Sequence, residues 1–100
     1  MAAKYPTKAA KQCIYLLYGG NIPVVTGLRK EVVSAEGIGT VEDLITKLDE
    51  KYPDFREIFI PTGGIFNSRT AITLSRPGQP SMPVIAPEVE VQGGDTLFMW

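Results

Sequence analysis

The segment TVEDLITKLDEKY, from Thr40 to Tyr52, predicts one long helix against which the rest of the chain must pack. Its apolar residues are spaced at i, i+3, i+4, i+7 and i+11, which places them in a single stripe along one side of a helix. These residues are Val41, Leu44, Ile45, Leu48 and Tyr52. Charged residues fill the opposite side, so the stripe needs an apolar surface to cover it.

Both ends of this helix carry local signals. The Thr40 hydroxyl can cap the first turn, and Asp43 stands three residues later, where its carboxylate can reach back to the backbone. Lys47 and Lys51 lie toward the other end, where positive charge suits the helix dipole. Pro53 then stops the helix. We therefore predict that its boundaries are set by nearby residues.

Length and composition predict one soluble domain. The chain has 100 residues, of which 44% are apolar and 21% charged, as is usual for a globular protein with one core. The sequence shows neither a signal peptide nor an apolar run of bilayer length, so we expect a cytoplasmic protein.

The net charge of −1 conceals an uneven distribution. Residues 1–11 contain Lys4, Lys8 and Lys11 and no acidic residue, whereas residues 12–100 hold seven Lys or Arg against eleven Asp or Glu. We expect a flexible basic leader over 1–11 and a single domain over 12–100. The acidic domain gives no electrostatic reason to bind nucleic acid or membrane, so neither is an expected partner.

The residue inventory argues against an enzyme. The chain has no histidine, and Cys13 is its only cysteine, which excludes intramolecular disulfides and any site that needs imidazole. The carboxylates of Asp43, Asp49, Glu50 and Glu57 are expected on the solvent side of helical segments. We predict no catalytic residue, no metal site and no cofactor.

The strands are predicted from alternation and from turn residues. Residues 12–18 are apolar on both faces, as in a central strand. Gly19-Gly20-Asn21 is expected to turn the chain into a second strand over 24–33, which Thr26-Gly27 interrupts. Arg29, Lys30 and Glu31 suit an exposed edge of that strand.

After the long helix, the pattern predicts shorter elements. We expect a short helical or irregular plug over 54–60, a turn at 61–64 and a strand over 70–75. A cluster of prolines between Pro77 and Pro87 confines any strand there to a short edge piece around Val84 and Ile85.

The closing strand, residues 96–100, predicts an exposed aromatic patch. Alternation puts Leu97 and Met99 on the core face, and Phe98 and Trp100 on the face away from the helix. We expect these two aromatics to lie beside Tyr15 or Tyr18. The predicted partner-binding residues are Phe98, Trp100 and Tyr18.

The order of elements favours an α+β fold of the β-grasp, or ubiquitin-like, type. A hairpin, a helix and further strands predict a mixed sheet of four to five strands with one main helix. A ferredoxin-like fold is the alternative, but it needs a second full helix where the prolines stand.

Three motifs together resemble the small sulfur-carrier proteins of molybdopterin and thiamine biosynthesis (MoaD/ThiS-like). They are Thr40-Val41-Glu42-Asp43-Leu44 at the helix start, Lys51-Tyr52-Pro53 at its end, and Gly94-Asp95-Thr96-Leu97 opening the last strand. The resemblance implies a β-grasp fold and a carrier whose C-terminal glycine is adenylated by an activating enzyme and converted to a thiocarboxylate.

The chain departs from that family at Trp100, where the carriers continue into a tail that ends in Gly-Gly. We therefore expect a non-catalytic docking module or small subunit that binds a larger protein, either an activating enzyme or an enzyme subunit. The alternative is a sulfur carrier with a truncated or divergent tail.

Overall fold

The computed structural model describes residues 12–61 and 65–100. Within these ranges the elements, in chain order, are β1 (Cys13–Tyr18), α1 (Ile22–Thr26), β2 (Lys30–Ser34), α2 (Val41–Lys51), α3 (Phe55–Phe59), β3 (Ile72–Ser75), β4 (Met82–Pro83) and β5 (Thr96–Met99). The leader predicted over 1–11 and most of the turn predicted over 61–64 lie outside the described residues. No described helix is both long and apolar enough to cross a membrane.

The strands form one mixed sheet with the order β2-β1-β5-β3-β4. β1 pairs antiparallel with β2 and parallel with β5, while β3 pairs antiparallel with both β5 and β4. The first and last of the described strands thus lie side by side in the centre of the sheet. This topology confirms the predicted α+β, β-grasp fold, with β1 as a central strand.

α2 is the predicted main helix, and its start is capped as expected. The Asp43 backbone N–H donates to the Thr40 hydroxyl at 3.2 Å, and the Asp43 carboxylate accepts from the Thr40 backbone N–H at 3.2 Å. This reciprocal pair satisfies backbone donors that the first turn leaves free. The buried stripe of the helix consists of Val41, Leu44, Ile45 and Leu48.

α1 corrects the prediction of one strand over 24–33. Residues Ile22–Thr26 form a single helical turn instead, and β2 begins only at Lys30. Pro23 stands in the first turn, where its missing N–H costs nothing, and Gly27 ends the turn with φ of 75°. The connection between β1 and β2 is therefore a short helix and not a tight hairpin.

α3 confirms the short helical plug predicted after Pro53. Phe55 and Phe59 are both fully buried, and their ring centroids lie 5.4 Å apart. The Tyr18 ring meets Phe55 edge-on at 6.4 Å. The helix thus places two large aromatic side chains at one end of the core that α2 and the sheet enclose.

The proline-rich connection contains the predicted edge strand, displaced by about two residues. β4 consists of Met82 and Pro83, whereas Val84 is buried and Ile85 is 84% exposed. Pro83 has no N–H, which suits it to a strand that pairs on one side only. The order of the sheet confirms that this piece lies at an edge.

Candidate protein-binding site on the open sheet face

The sheet has two unlike faces. Ile14, Leu16, Leu97 and Met99 point into the core under α2 and are fully buried. The alternate strand residues point to the opposite side, which we call the open face. Its strand residues are Cys13, Tyr15, Leu17, Lys30, Val32, Ser34, Thr73, Ser75, Pro83, Thr96 and Phe98.

Apolar side chains are exposed next to one another on the open face. Leu17 of β1 is paired in register with Phe98 of β5, and their exposed fractions are 39% and 43%. Val32 on the neighbouring strand is 43% exposed, and Trp100, just beyond β5, is 41% exposed. Exposed apolar side chains that adjoin in this way indicate a surface that can bind another molecule.

Phe98 and Trp100 form an aromatic pair on this surface. Their ring centroids lie 4.7 Å apart with an interplanar angle of 65°, an edge-to-face arrangement that aromatic rings favour. The Trp100 backbone is held by two hydrogen bonds to Ala71, because its N–H donates to the Ala71 carbonyl and its carbonyl accepts from the Ala71 N–H. The predicted outward placement of both aromatics is thus confirmed.

Gly19 makes room for this pair. A Cβ atom at position 19 would lie 3.1 Å from Cε1 of Phe98 and 3.3 Å from Cβ of Trp100, which is too close for ordinary packing. The Gly19 N–H also donates to the Met99 carbonyl at 2.9 Å. Glycine therefore lets the chain after β1 approach the Phe98 ring and the Trp100 Cβ atom while its backbone pairs with β5.

Tyr18 is not on the open face, contrary to the prediction that grouped it with Phe98 and Trp100. Its ring is 4% exposed and points into the core. Its side chain lies on the same side of β1 as those of Ile14 and Leu16, whereas the side chains of Tyr15 and Leu17 lie on the opposite side. Leu17 and Val32 take its place among the exposed residues, and strict alternation from Leu16 would have indicated Leu17.

Glu31 is also placed against expectation, because it is buried on the core side and not on the exposed edge. Its carboxylate accepts hydrogen bonds from the Tyr18 hydroxyl at 2.8 Å, from the Tyr52 hydroxyl at 2.9 Å and from the Lys51 ammonium group. Burial by itself raises the pKa of Glu31. The three hydrogen bonds together lower it by more, so the pKa lies below its usual range. The group connects β2 to the end of α2.

Arg76 and Asp95 fix the turn that leads into β5. The Asp95 carboxylate is fully buried and accepts from Nε and Nη2 of Arg76, both at 2.8 Å, and from the Gln92 N–H at 2.9 Å. The Asp95 carbonyl accepts from the Tyr15 N–H at 2.9 Å. This turn sets the position at which β5 begins to pair with β1, and so it positions Phe98 and Trp100.

The charge on the open face is sparse and positive. Among the strand residues named above, none is acidic and Lys30 is the one cation.

Two carboxylates that were predicted on the solvent side of the helices make structural hydrogen bonds. Asp43 caps α2, and Asp49 accepts from the Arg56 N–H at 2.9 Å. The surface thus offers aromatic and aliphatic contact area and no paired acid and base.

No protein-family model matches this chain, and no curated protein matches it. Solved structures are similar to it. The Haloferax volcanii HVO 2177 protein, a solution structure, has a TM-score of 0.68 at 14% identity, covering 99% of this chain and 91% of that one. The crystal structure of small archaeal modifier protein 1 from the same organism has a TM-score of 0.61 at 22% identity, covering 88% and 92%.

A third similar structure is a Pyrococcus furiosus protein assigned as molybdopterin converting factor subunit 1. It has a TM-score of 0.62 at 16% identity, covering 87% of this chain and 93% of that one. Identities this low establish the fold alone. The chain has the ubiquitin-like β-grasp fold found in these archaeal modifier and converting-factor proteins.

Proposed function

We propose that this protein is a non-catalytic docking module or small subunit that binds a larger protein through the open face. The observation that carries the proposal is the edge-to-face pair of Phe98 and Trp100, exposed beside Leu17 on a sheet face that α2 leaves uncovered. Tryptophan and other aromatics are enriched among the residues that dominate binding energy at interfaces. The larger protein is an activating enzyme or an enzyme subunit.

The rigidity of this surface supports the proposal. Phe98 lies within β5, and the Trp100 backbone pairs with Ala71 in both directions, so binding has little backbone freedom to remove. Two rings that already contact each other also lose less side-chain entropy than two free side chains do. A surface organised before binding keeps more of its contact energy as affinity.

The names of the similar structures point in the same direction. The Pyrococcus furiosus protein is called a subunit and the Haloferax volcanii protein a modifier, and each name implies a second protein.

Trp100→Ala tests the proposal. We expect at least about a tenfold rise in the dissociation constant for the partner, because truncating a central interface aromatic costs more than ~1.4 kcal/mol. The partner is first recovered from the source cells as a protein retained by the wild type. Its affinity is then measured by calorimetry with the purified proteins, and Phe98→Ala/Trp100→Ala is expected to bind more weakly still.

The matched control is Glu50→Ala, since Glu50 is exposed on α2 at the other side of the sheet. It should bind as the wild type does. Near-ultraviolet circular dichroism and the unfolding midpoint establish that each variant is folded. Equal affinity of the double aromatic variant and the wild type would refute docking through the open face.

A sulfur carrier is the second candidate, favoured by the motifs at residues 40–44, 51–53 and 94–97 and by the fold of the converting-factor subunit. The full-length protein is incubated with an activating enzyme, ATP and a sulfur donor, and its intact mass is measured. A gain equal to the exchange of one oxygen for sulfur would establish the carrier. An unchanged mass while the partner still binds favours docking alone.

A further inference from the structure

β2 is an edge strand whose outer side is unoccupied by any described residue. It pairs only with β1 in the sheet. The Tyr18 N–H donates to the Arg29 carbonyl and the Ala35 N–H to the Gln12 carbonyl, so these two residue pairs are hydrogen-bonded pairs of the antiparallel ladder. Such pairs alternate with pairs that exchange no hydrogen bond.

The register then decides which backbone groups point outward. Counting from Arg29, the residues that bond to β1 are Arg29, Glu31, Val33 and Ala35. The N–H and C=O groups of Lys30, Val32 and Ser34 therefore point away from β1. No hydrogen bond joins these groups to another residue within 12–61 or 65–100. The edge thus presents three donors and three acceptors.

The middle of this edge is uncharged, and its charges lie near the ends of β2 or point inward. Charged side chains on an edge strand discourage unwanted pairing, but the carboxylate of Glu31 is turned inward and already paired with Lys51. Lys30 is the one charged residue among the three whose backbone faces outward, and Val32 in the middle is 43% exposed. A groove of about 420 Å³ between β2 and α2 leaves space beside the strand.

We propose that a second copy of this chain pairs with β2 in an antiparallel manner, with the two-fold axis at Val32. In that register Val32 faces Val32, and Lys30 of each copy faces Ser34 of the other. Every outward residue then meets an outward residue, so each of the three pairs can exchange both of its hydrogen bonds. A register displaced by one residue would place outward groups opposite inward ones.

The charges also favour this register. Lys30 faces the uncharged Ser34, so like charges do not oppose one another along the strand. Arg29 and Lys30 of one copy lie at the end where Glu36 follows the strand of the other copy, which brings opposite charges together. The strand is therefore complementary to itself in both hydrogen bonding and charge.

The result would be one continuous ten-stranded sheet built from two five-stranded sheets. Because the axis is perpendicular to the sheet, both open faces would lie on the same side, with their aromatic pairs available to a partner. The pairing uses the edge of the sheet and does not depend on what the open face binds.

Hydrogen exchange measured by NMR on the full chain tests this without any substitution. As protein concentration rises, we expect exchange at the Lys30, Val32 and Ser34 amides to slow by at least about tenfold. The Glu31 and Val33 amides, which donate to β1, should be protected at every concentration. Sedimentation velocity should show dimer in the same concentration range. Fast exchange at the three outward amides throughout, or a monomer at all concentrations, would overturn the proposal.

Val32→Pro tests whether the outward N–H of Val32 takes part in the pairing. The proline removes an N–H that points away from β1, so the β1 to β2 ladder keeps its hydrogen bonds. We expect the dimer dissociation constant to rise by at least about tenfold. Val32→Thr keeps the N–H and the branched side chain and should dimerise as the wild type does. A dimer as tight with proline as with valine would show that another surface holds it and would overturn the proposal.

Discussion

Arg76→Ala is expected to lower the free energy of unfolding by about 3 to 5 kcal/mol, as for other buried charges that lose their partner. The Asp95 carboxylate is fully buried, and the substitution removes two of its three described hydrogen bonds. Urea unfolding followed by tryptophan fluorescence measures the loss, and Trp100 is the single reporter.

Two further variants separate the ion pair from simple truncation. Arg76→Lys keeps the charge but cannot donate two parallel hydrogen bonds to one carboxylate. We therefore expect its free energy of unfolding to lie between those of the wild type and Arg76→Ala. Arg76→Ala/Asp95→Ala removes the uncompensated charge and should lose less than the sum of the single variants. A loss under about 1 kcal/mol for Arg76→Ala would mean that the pair contributes only as an exposed one does.

Glu31→Ala is expected to lower the free energy of unfolding by about 2 to 3 kcal/mol at neutral pH, because a buried hydroxyl then lacks its acceptor. That hydroxyl belongs to Tyr18, which is 4% exposed. Adding Tyr18→Phe to Glu31→Ala removes the orphaned donor and should recover part of the loss. If Tyr18→Phe recovered nothing, the cost would come from packing and not from the hydrogen bond.

The contribution of Glu31 should depend on pH in a definite direction. Its donors lower the pKa in the folded state, so the folded protein favours the carboxylate more than the unfolded chain does. The stabilisation is therefore complete above the unfolded pKa of about 4.3 and is lost as pH falls through the folded pKa. Urea unfolding at a series of pH values should show the wild type approaching Glu31→Gln below about pH 4. A difference that stayed constant into strong acid would contradict this.

Local signals predicted the elements that depend on nearby residues. Thr40 and Asp43 form the predicted cap of α2, because both partners lie within one turn. Alternation placed Leu97 and Met99 in the core and Phe98 on the open face, because strand geometry sends neighbours to opposite sides. The main helix and the aromatic pair of the candidate site were therefore predictable.

The predictions failed where distant residues decide the outcome. Burial of Glu31 depends on hydrogen-bond donors 20 and 21 residues away, at Lys51 and Tyr52, and no pattern in the residues near Glu31 predicts them. A single helical turn such as α1 is too short for helical spacing to emerge, and its Val24 is 84% exposed. Tyr18 was predicted on the wrong face because residues 12–18 are apolar on both sides of the strand, so the sequence does not indicate which side is buried.

We propose that a partner protein covers the open face. NMR spectra of the protein with and without its purified partner test it directly, using the Trp100 indole signal and the Leu17 methyl signals as probes of that face. The Thr46 methyl, exposed on α2 across the sheet, is the control. Docking through the open face predicts that the Trp100 and Leu17 signals shift or broaden while Thr46 stays unchanged. A complex in which Thr46 changes and both sheet probes keep their free positions would contradict it.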